Sequence, residues 1–455
     1  MNVATRSYPT AYALSIALFA VSVLLLLMAI PASSQPAPPP SYQAVADSSD
    51  GNAPDAESDP KPWERRIGSV YPGRVVRTHG GDYVGNAESW PYRSTAIVDR
   101  DAPPIRYNRV EGLTIGVQRN SLDLESNDRA RVFGQFGFAT ELNRIRATGG
   151  TEFRVYSAPR HALKFGVKGY YNTFTEDAWK TSYLENSLAG LIFGHDFFNY
   201  YQARGASVYA VQHIAQSVRL SAGVQTELQS PLRTRTTWSI FDGDGFSANP
   251  RAEAGRSTAA VFALDAGHIR DFDGLPTGGA LRVSAEIGHG LSGQDDWLDS
   301  SPTEDLQYNR YTADGRVYLP TSYDTRLALR LRGGYATSDA PAQKLFYLGG
   351  IGSMRGYGQN SVIGTKSLLA NAEFIIDGAT LVDDILDDLY VAIHGDAGWV
   401  GQPGEAFDMN DVLPSAGFGI GLGDRAVRLD VTWPLRDVPE ANSGPSIWLR
   451  ITPHF

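Results

Sequence analysis

The 455-residue sequence contains no cysteine and only four methionines. Without thiols, the chain can form no disulfide framework, no thiolate metal site, no cysteine nucleophile and no lipid-bearing cysteine. An excess of positive charge is also missing, because the formal net charge is −10, and this disfavours nucleic acid as a partner. The sequence has no Gly-x-Ser-x-Gly elbow, zinc signature or phosphate loop. We therefore expect no enzyme, no catalytic residue, no metal site and no cofactor.

The adjacent pair His195 and Asp196 could suggest a hydrolase dyad. The sequence places both residues on a predicted strand, where neighbouring side chains point to opposite faces. We therefore do not assign the pair to catalysis.

Long apolar runs are confined to the N-terminus. Arg6 precedes an uncharged stretch from Ala11 to Ile30, and small residues follow up to Ser34. This order is typical of an export signal cleaved after Ser34, so residues 1–34 are predicted to be a signal peptide. An uncleaved anchor is the alternative, because the run is long enough to span a bilayer. That anchor would hold the chain in the inner membrane, in conflict with the fold predicted below.

Residues 35–104 lack a regular hydrophobic period. Residues 35–63 are rich in Pro, Ser, Ala and Asp and are typical of a solvated linker. Residues 64–104 contain only short strand-like runs, compatible with a periplasmic lead-in or with a segment that enters the next domain. The whole stretch is predicted to be a linker and lead-in without a folded domain.

From residue 105 onward, segments of about ten residues alternate apolar with polar side chains. In one of them Leu327, Leu329 and Leu331 share one face, and a basic row occupies the other, comprising Arg326, Arg330 and Arg332. Repeated full charges on one face favour a membrane barrel with a wet lumen over a soluble sandwich. The sequence thus predicts an all-β fold over 105–455, a transmembrane antiparallel β-barrel of about 16 strands. The predicted strands are 107–118, 130–142, 149–157, 162–173, 187–197, 205–213, 217–228, 256–268, 279–290, 306–318, 323–336, 366–377, 388–400, 415–423, 426–434 and 446–455.

An even strand number puts both chain ends on the periplasmic side. Short turns such as 271–274 and 319–321 then fall inside, and the longer segments 229–255, 291–305 and 337–365 fall outside. The connection 174–186 is an exception, since it is long and would lie inside.

One predicted outer loop carries an unusual glycine-rich motif, Gly349-Gly350-Ile351-Gly352-Ser353-Met354-Arg355-Gly356-Tyr357. Glycines permit tight turns and close backbone approach, and a buried arginine needs carboxylates. Glu373 and Asp396 face inward on the two following strands. The inward positions of the fourteenth predicted strand are all glycine, which leaves room for a loop tip inside the barrel; these are Gly417, Gly419, Gly421 and Gly423.

These residues resemble the outer-membrane insertase and translocase superfamily of BamA and TamA. The loop residues Gly352, Met354, Arg355, Gly356 and Tyr357 are similar to its Arg-Gly-Phe/Tyr motif. The run His394-Gly395-Asp396-Ala397-Gly398 is similar to its aromatic-x-Asp-x-Gly strand motif, with His394 in the aromatic position. The resemblance implies that the loop folds into the lumen and that Arg355 pairs with Asp396 and Glu373.

The resemblance covers the last 110 residues by motif and the earlier strands by pattern alone. Members of the superfamily usually carry periplasmic POTRA domains that receive client proteins, and residues 35–104 show no such module. The chain is therefore identified as a short member without POTRA domains.

The final predicted strand alternates apolar residues, ending at Phe455, with a second row that includes Trp448. A terminal aromatic residue needs burial, which lipid supplies. We interpret Trp448 and Phe455 as parts of a C-terminal assembly signal read by the outer-membrane assembly machinery.

Three functions stay open at this point: insertion or translocation of client outer-membrane proteins, a passive pore with a loop plug, and a barrel subunit that acts with a separate periplasmic partner. All three place the chain in the outer membrane, in contact with lipids and lipopolysaccharide. The basic row could give anion selectivity or lipopolysaccharide contact, but we favour charge balance with lumenal acids, namely Glu373, Asp396 and Asp430.

Overall fold

A computed structural model of the protein describes residues 102–455 apart from gaps at 120–129, 159–160, 216, 242–244, 273–274, 291–306, 323–324, 378–388, 423–426, 438–443 and 452–455. The predicted signal peptide, nearly all of the predicted lead-in and Phe455 lie outside the described residues.

The described residues form one 16-stranded sheet and a small two-stranded one. The large sheet contains β1 (Arg106–Asn108), β2 (Gly112–Arg119), β3 (Ala130–Ala139), β4 (Arg144–Ala158), β5 (His161–Thr175), β6 (Tyr200–Ala215), β7 (Val218–Pro231), β8 (Gly255–Phe272), β9 (Leu275–Gly290), β10 (Gln307–Pro320), β11 (Thr325–Ala336), β14 (Lys366–Asp377), β15 (Leu389–Gly401), β16 (Leu413–Leu422), β17 (Val427–Pro434) and β18 (Ser446–Ile451). The small sheet pairs β12 (Phe346–Leu348) with β13 (Val362–Gly364). In the part of the chain that the structure describes, the connections contain one α-helix, α1 (Tyr183–Phe193), and two short 3-10 helices, Ala342–Lys344 and Met409–Asp411.

Every strand of the large sheet pairs antiparallel with its neighbour, and β14 follows β11 directly because the small sheet lies outside that order. The prediction of a transmembrane antiparallel β-barrel with about 16 strands is confirmed.

The side-chain distribution is the reverse of that in a soluble sandwich. Large apolar residues on alternate strand positions are exposed, such as Val117, Phe136, Val208 and Ile393. Charged residues on the other face are buried, among them Arg146, Lys168, Asp265, Arg282, Asp314, Asp396, Arg428 and Asp430. Lipid can cover the first set, and ion pairing within the lumen satisfies the second.

The predicted strand 187–197 was wrong, because most of this segment is the helix α1. Ser182 caps its N-terminus and accepts a hydrogen bond from the backbone N–H of Glu185, and Gly194 ends it in the left-handed conformation at φ 70°. Ser182 is thus a side-chain N-cap, and Gly194 is a glycine C-cap. Among the described residues, no helix is long and apolar enough to cross a membrane.

The count of 16 is kept because the first predicted strand, 107–118, divides into β1 and β2 around a tight turn at 109–111. The long connection 176–199, which contains α1, therefore falls on the same side of the barrel as the connection 337–365. The connection 174–186 was predicted from the sequence to lie on the inner side, as an exception to the rule of short inner turns. That placement was wrong. The connections from β4 to β5, from β6 to β7, from β8 to β9 and from β10 to β11 share the opposite side, as the order of the strands requires.

The paired sheet has two free edges among the described residues. Pairing runs from β1 to β18 without interruption, and no described pair joins β18 to β1 or β2. We call the interval between β18 and the first two strands the seam.

Candidate functional site in the barrel lumen

The connection 337–365, here called the arginine loop, folds into the barrel. Its ends pair as β12 and β13, and its tip carries buried Ile351, Met354, Arg355 and Tyr357. Gly352 has a φ of 69°, and a Cβ there would overlap the carbonyl oxygen of Lys180. Only glycine fits this backbone conformation and this approach.

Arg355 is 2% exposed and lies between two strand carboxylates. Its Nε donates to Asp396 at 2.8 Å, and its Nη2 donates to the other oxygen of the same carboxylate at 2.6 Å. Its Nη1 donates to Glu373, and its backbone N–H also donates to Asp396 at 3.0 Å. The paired arrangement on Asp396 fixes both the position and the orientation of the guanidinium plane.

The ion pairs continue from the arginine loop across β14, β17 and β18. Arg428 donates to both oxygens of Glu373 at 3.0 Å and also contacts Asp430. Arg450 lies 3.9 Å from Asp430 and donates to Glu185 of α1 at 2.8 Å. The resulting row of alternating charges links the loop to the last strand.

Burial lowers the pKa of Arg355, but the adjacent carboxylates of Asp396 and Glu373 outweigh it and hold this pKa above its ordinary value. The guanidinium therefore stays charged at any working pH. A permanently charged group with saturated partners is suited to anchoring a loop rather than to proton transfer.

The loop also contacts the last strand directly. The indole N–H of Trp448 donates to the carbonyl oxygen of Arg355 at 2.7 Å, and the ring packs edge-on against Phe197. The Tyr357 hydroxyl donates to the carbonyl oxygens of Pro414 and Arg436, at 2.8 and 3.1 Å. Trp448, predicted to belong to an assembly signal, thus lies at the loop tip in the folded barrel.

The predicted strand motif lies beside the loop. A Cβ at Gly398 would overlap the Met354 side chain, and a Cβ at Gly356 would press on Ser415. The imidazole Nε2 of His394 is 2.8 Å from the Thr432 hydroxyl, so this hydrogen bond joins β15 to β17 and not to the loop.

Side chains of the barrel wall occupy most of the space beside the glycine row on β16. Tyr390 fills the position beside Gly421, Arg428 and Asp430 fill that beside Gly419, and His394 reaches Gly417. The loop tip itself meets β16 at Ser415. Gly423 lies outside the described residues.

Two arginines of the basic row on β11 are neutralised by a different acid from those expected. Asp314 on β10 accepts from Arg330 at 2.5 Å and from Arg332 at 3.0 Å. Arg326 donates to the Thr277 hydroxyl at 3.2 Å. Asp314 was not predicted from the sequence as a partner of these arginines, although the alternation along β10 places its side chain on the inner face.

The connection 176–199, here called the helical connection, also places residues in the lumen on both sides of α1, and the sequence did not single it out as part of a site. Asp196 is buried and accepts four hydrogen bonds, from Arg109 N, Asn186 Nδ2, Tyr200 OH and Phe198 N. Burial raises the pKa of Asp196. His195 beside it is exposed, and both residues lie in the coil after α1 and not on the strand predicted for them from the sequence. Within the described part of the chain, no three His, Asp or Glu side chains gather as a metal site.

Fold and site together define a transmembrane β-barrel with a long loop anchored in its lumen by a buried arginine. Two family models match parts of the sequence. Residues 246–423 match the haemolysin secretion/activation proteins ShlB/FhaC/HecB, and residues 76–265 match the C-terminal domain of a family of unknown function, DUF5686. Each match covers less than half of the chain, and the first contains Arg355, Glu373 and Asp396. No curated protein matches at a significant level.

Several solved barrels resemble the structure. BamA from Haemophilus ducreyi lacking POTRA domains 1–3 has a TM-score of 0.49 and 14% identity, over 76% of this chain and 69% of that one. CdiB from Acinetobacter baumannii has 0.40 and 13%, over 76% and 58%, and CdiB from Escherichia coli has 0.39 and 12%, over 76% and 60%. The chain thus spans about three fifths of each CdiB.

Proposed function

We propose that this barrel acts in the outer membrane on other proteins, inserting or translocating them, with the arginine loop as the element that holds the lumen and seam in their working arrangement. One observation carries the proposal: Arg355 is anchored to β14 and β15 while its own carbonyl accepts from Trp448 on β18. A movement of the loop therefore acts on the last strand.

The match to the haemolysin secretion/activation proteins supports this reading, because it spans the anchored loop and both of its carboxylate strands. Under this proposal the partners are client proteins, a separate periplasmic protein that delivers them, and the lipids around the barrel. The assembly machinery is needed only during biogenesis.

The direct test replaces Arg355 with Ala in cells and compares outer-membrane and secreted proteins with those of a deletion strain. We expect Arg355→Ala to reproduce the protein losses of the deletion. Arg282→Ala is the matched control, since Arg282 is a buried lumenal arginine that shares Asp265 with Arg219. Normal barrel levels with an unchanged protein profile for Arg355→Ala would contradict the proposal.

A passive pore would need an open path through the barrel. Both long connections instead place side chains in the lumen, where Trp179 of one and Tyr347 of the other line the same pocket. We expect the purified protein to give little steady conductance in planar bilayers and Arg355→Ala to give more. A large, ion-selective conductance from the unaltered protein would favour the pore.

A further inference from the structure

The seam contains a helix where a closed barrel would have strand pairing. α1 packs extensively on β1 and also reaches β18. It supplies hydrogen-bond acceptors to both free edges: Ser187 Oγ accepts from the backbone N–H of Tyr107 at 3.1 Å, and Glu185 accepts from that of Ile451 at 3.0 Å. Each acceptor takes the place of a carbonyl that a paired strand would supply.

Like the strands beside it, α1 has one buried polar face and one exposed apolar face. Glu185, Asn186 and Gly190 are buried. Leu184 is 49% exposed, and Leu188 and Leu191 on the same face are partly exposed. Positions i, i+4 and i+7 form one stripe of a helix, so the apolar stripe points away from the buried polar side.

The apolar stripe does not end with the helix. The backbone N–H groups of Ile240 and Phe241 donate to the carbonyl oxygens of Leu191 and Ile192, each at 2.9 Å. Phe241 stacks on Phe193, and Trp238, Ile240 and Phe241 are all more than half exposed. A water-facing surface rarely gathers so many large apolar side chains.

The surfaces on both sides of the seam are apolar and outward as well. Ile115 and Val117 on β2 are exposed, and so are Ile447 and Leu449 on β18. α1 lies between these two rows, so its stripe continues the surface that the barrel presents to lipid.

We propose that α1 is a wall element of the barrel: it closes the seam in place of strand pairing, and its Leu184-Leu188-Leu191 face contacts the acyl chains of the bilayer. This interaction surface is independent of the function proposed above. It implies that the wall can open at the seam only if α1 leaves both edges.

The absence of cysteine makes the test specific, because a single introduced cysteine is the only thiol. Leu184→Cys and Leu188→Cys would each carry a bimane label in the full chain, reconstituted in phosphatidylcholine vesicles with or without brominated acyl chains. Ile447→Cys reports a lipid-facing strand position, and Ala406→Cys reports an exposed position in the connection between β15 and β16. Folding is checked by the heat-dependent shift of the barrel on SDS gels.

We expect brominated lipid to quench the labels at 184 and 188 as strongly as the label at 447, and iodide in the buffer to quench only the label at 406. Quenching of 184 and 188 by iodide alone would place the helix against water and overturn the proposal. Quenching by neither reagent would show that protein, such as a second copy of the chain, covers the face, and would also overturn it. If a label at one position prevents folding, the other position decides the test.

Discussion

The arginine loop and the helical connection are both long, lie on the same side of the barrel and place residues in the lumen, yet they are held in different ways. The loop is fixed to the inner faces of β14 and β15 by the ion pairs of Arg355. The helical connection is fixed to the strand edges at the seam through Glu185 and Ser187. Under the two proposals above, the loop acts on the lumen, whereas the helix acts on the closure of the wall.

The two segments also touch each other. Lys180 Nζ donates to Asn360 at 2.8 Å, Asn360 donates to Asn199 at 3.0 Å, and Gln359 donates to the carbonyl oxygen of Asp196 at 2.5 Å. A disturbance of one segment can therefore reach the other, and substitutions that act on only one of them separate their roles.

The largest effect is expected from Arg355→Ala. The substitution leaves Asp396 buried without its main counter-charge, and breaking a buried ion pair in this way costs about 3 to 5 kcal/mol. We expect the urea midpoint of the refolded barrel to fall and the loop to become sensitive to protease, while the label at position 188 stays quenched by lipid.

Arg282→Ala is again the control, because Asp265 keeps Arg219. An equal loss of stability in both variants would mean that the arginine loop has no special place among the lumenal ion pairs.

The two segments also differ in how far they could be predicted from the sequence. An inward fold of the loop could be predicted because an arginine among glycines needs carboxylates, and the alternation of β14 and β15 puts Glu373 and Asp396 on the inner face. The helix was misread because its short apolar run, Leu188 to Phe193, also suits a strand. The signals that decide for a helix were present in Ser182, Glu185 and Gly194, but they are local, whereas the strand count was global.

Two further contacts could not be predicted from the sequence, each for a physical reason. The pairing of Arg330 and Arg332 with Asp314 depends on the register of β10 against β11, in which Asp314 lies opposite Arg332. A shift of one residue would turn Asp314 to the other face. The contact of Gly352 with Lys180 joins segments more than 170 residues apart, and no periodic pattern reports it.

The next largest effect is expected from Gly352→Ala, which would disturb the contact between the arginine loop and the helical connection. Its φ of 69° disfavours any side chain, and the added Cβ would meet backbone at Lys180, which cannot move like a side chain. Such strain costs about 1 to 3 kcal/mol. Thermal unfolding should show this loss, and Gly358→Ala should show none, because nothing lies within 4 Å of a Cβ there. Equal stability of the two variants would contradict the tight approach.

Glu185→Gln should have a smaller effect, confined to the seam. The amide oxygen can still accept from the backbone N–H of Ile451, but the ion pair with Arg450 is lost, at a cost of about 1 to 2 kcal/mol. We expect a lower temperature for the gel shift and faster hydrogen exchange in β18, with the arginine loop still protected from protease. Glu253→Gln, at an exposed position where the carboxylate accepts from Ala342, is the control. If exchange in β18 does not change, Glu185 does not hold that edge.

The smallest effect is expected from Trp448→Phe. The ring keeps its place beside Phe197 but loses the hydrogen bond to the carbonyl oxygen of Arg355, which is worth about 1 kcal/mol. Because an aromatic residue is retained, a C-terminal assembly signal at this position would still be read, and barrel levels should stay normal. If the bond couples the loop to the last strand, the variant should lose client insertion or secretion out of proportion to its small loss of stability. Full function at normal barrel levels would instead assign loop and seam to separate tasks, with Arg355 acting on the lumen alone.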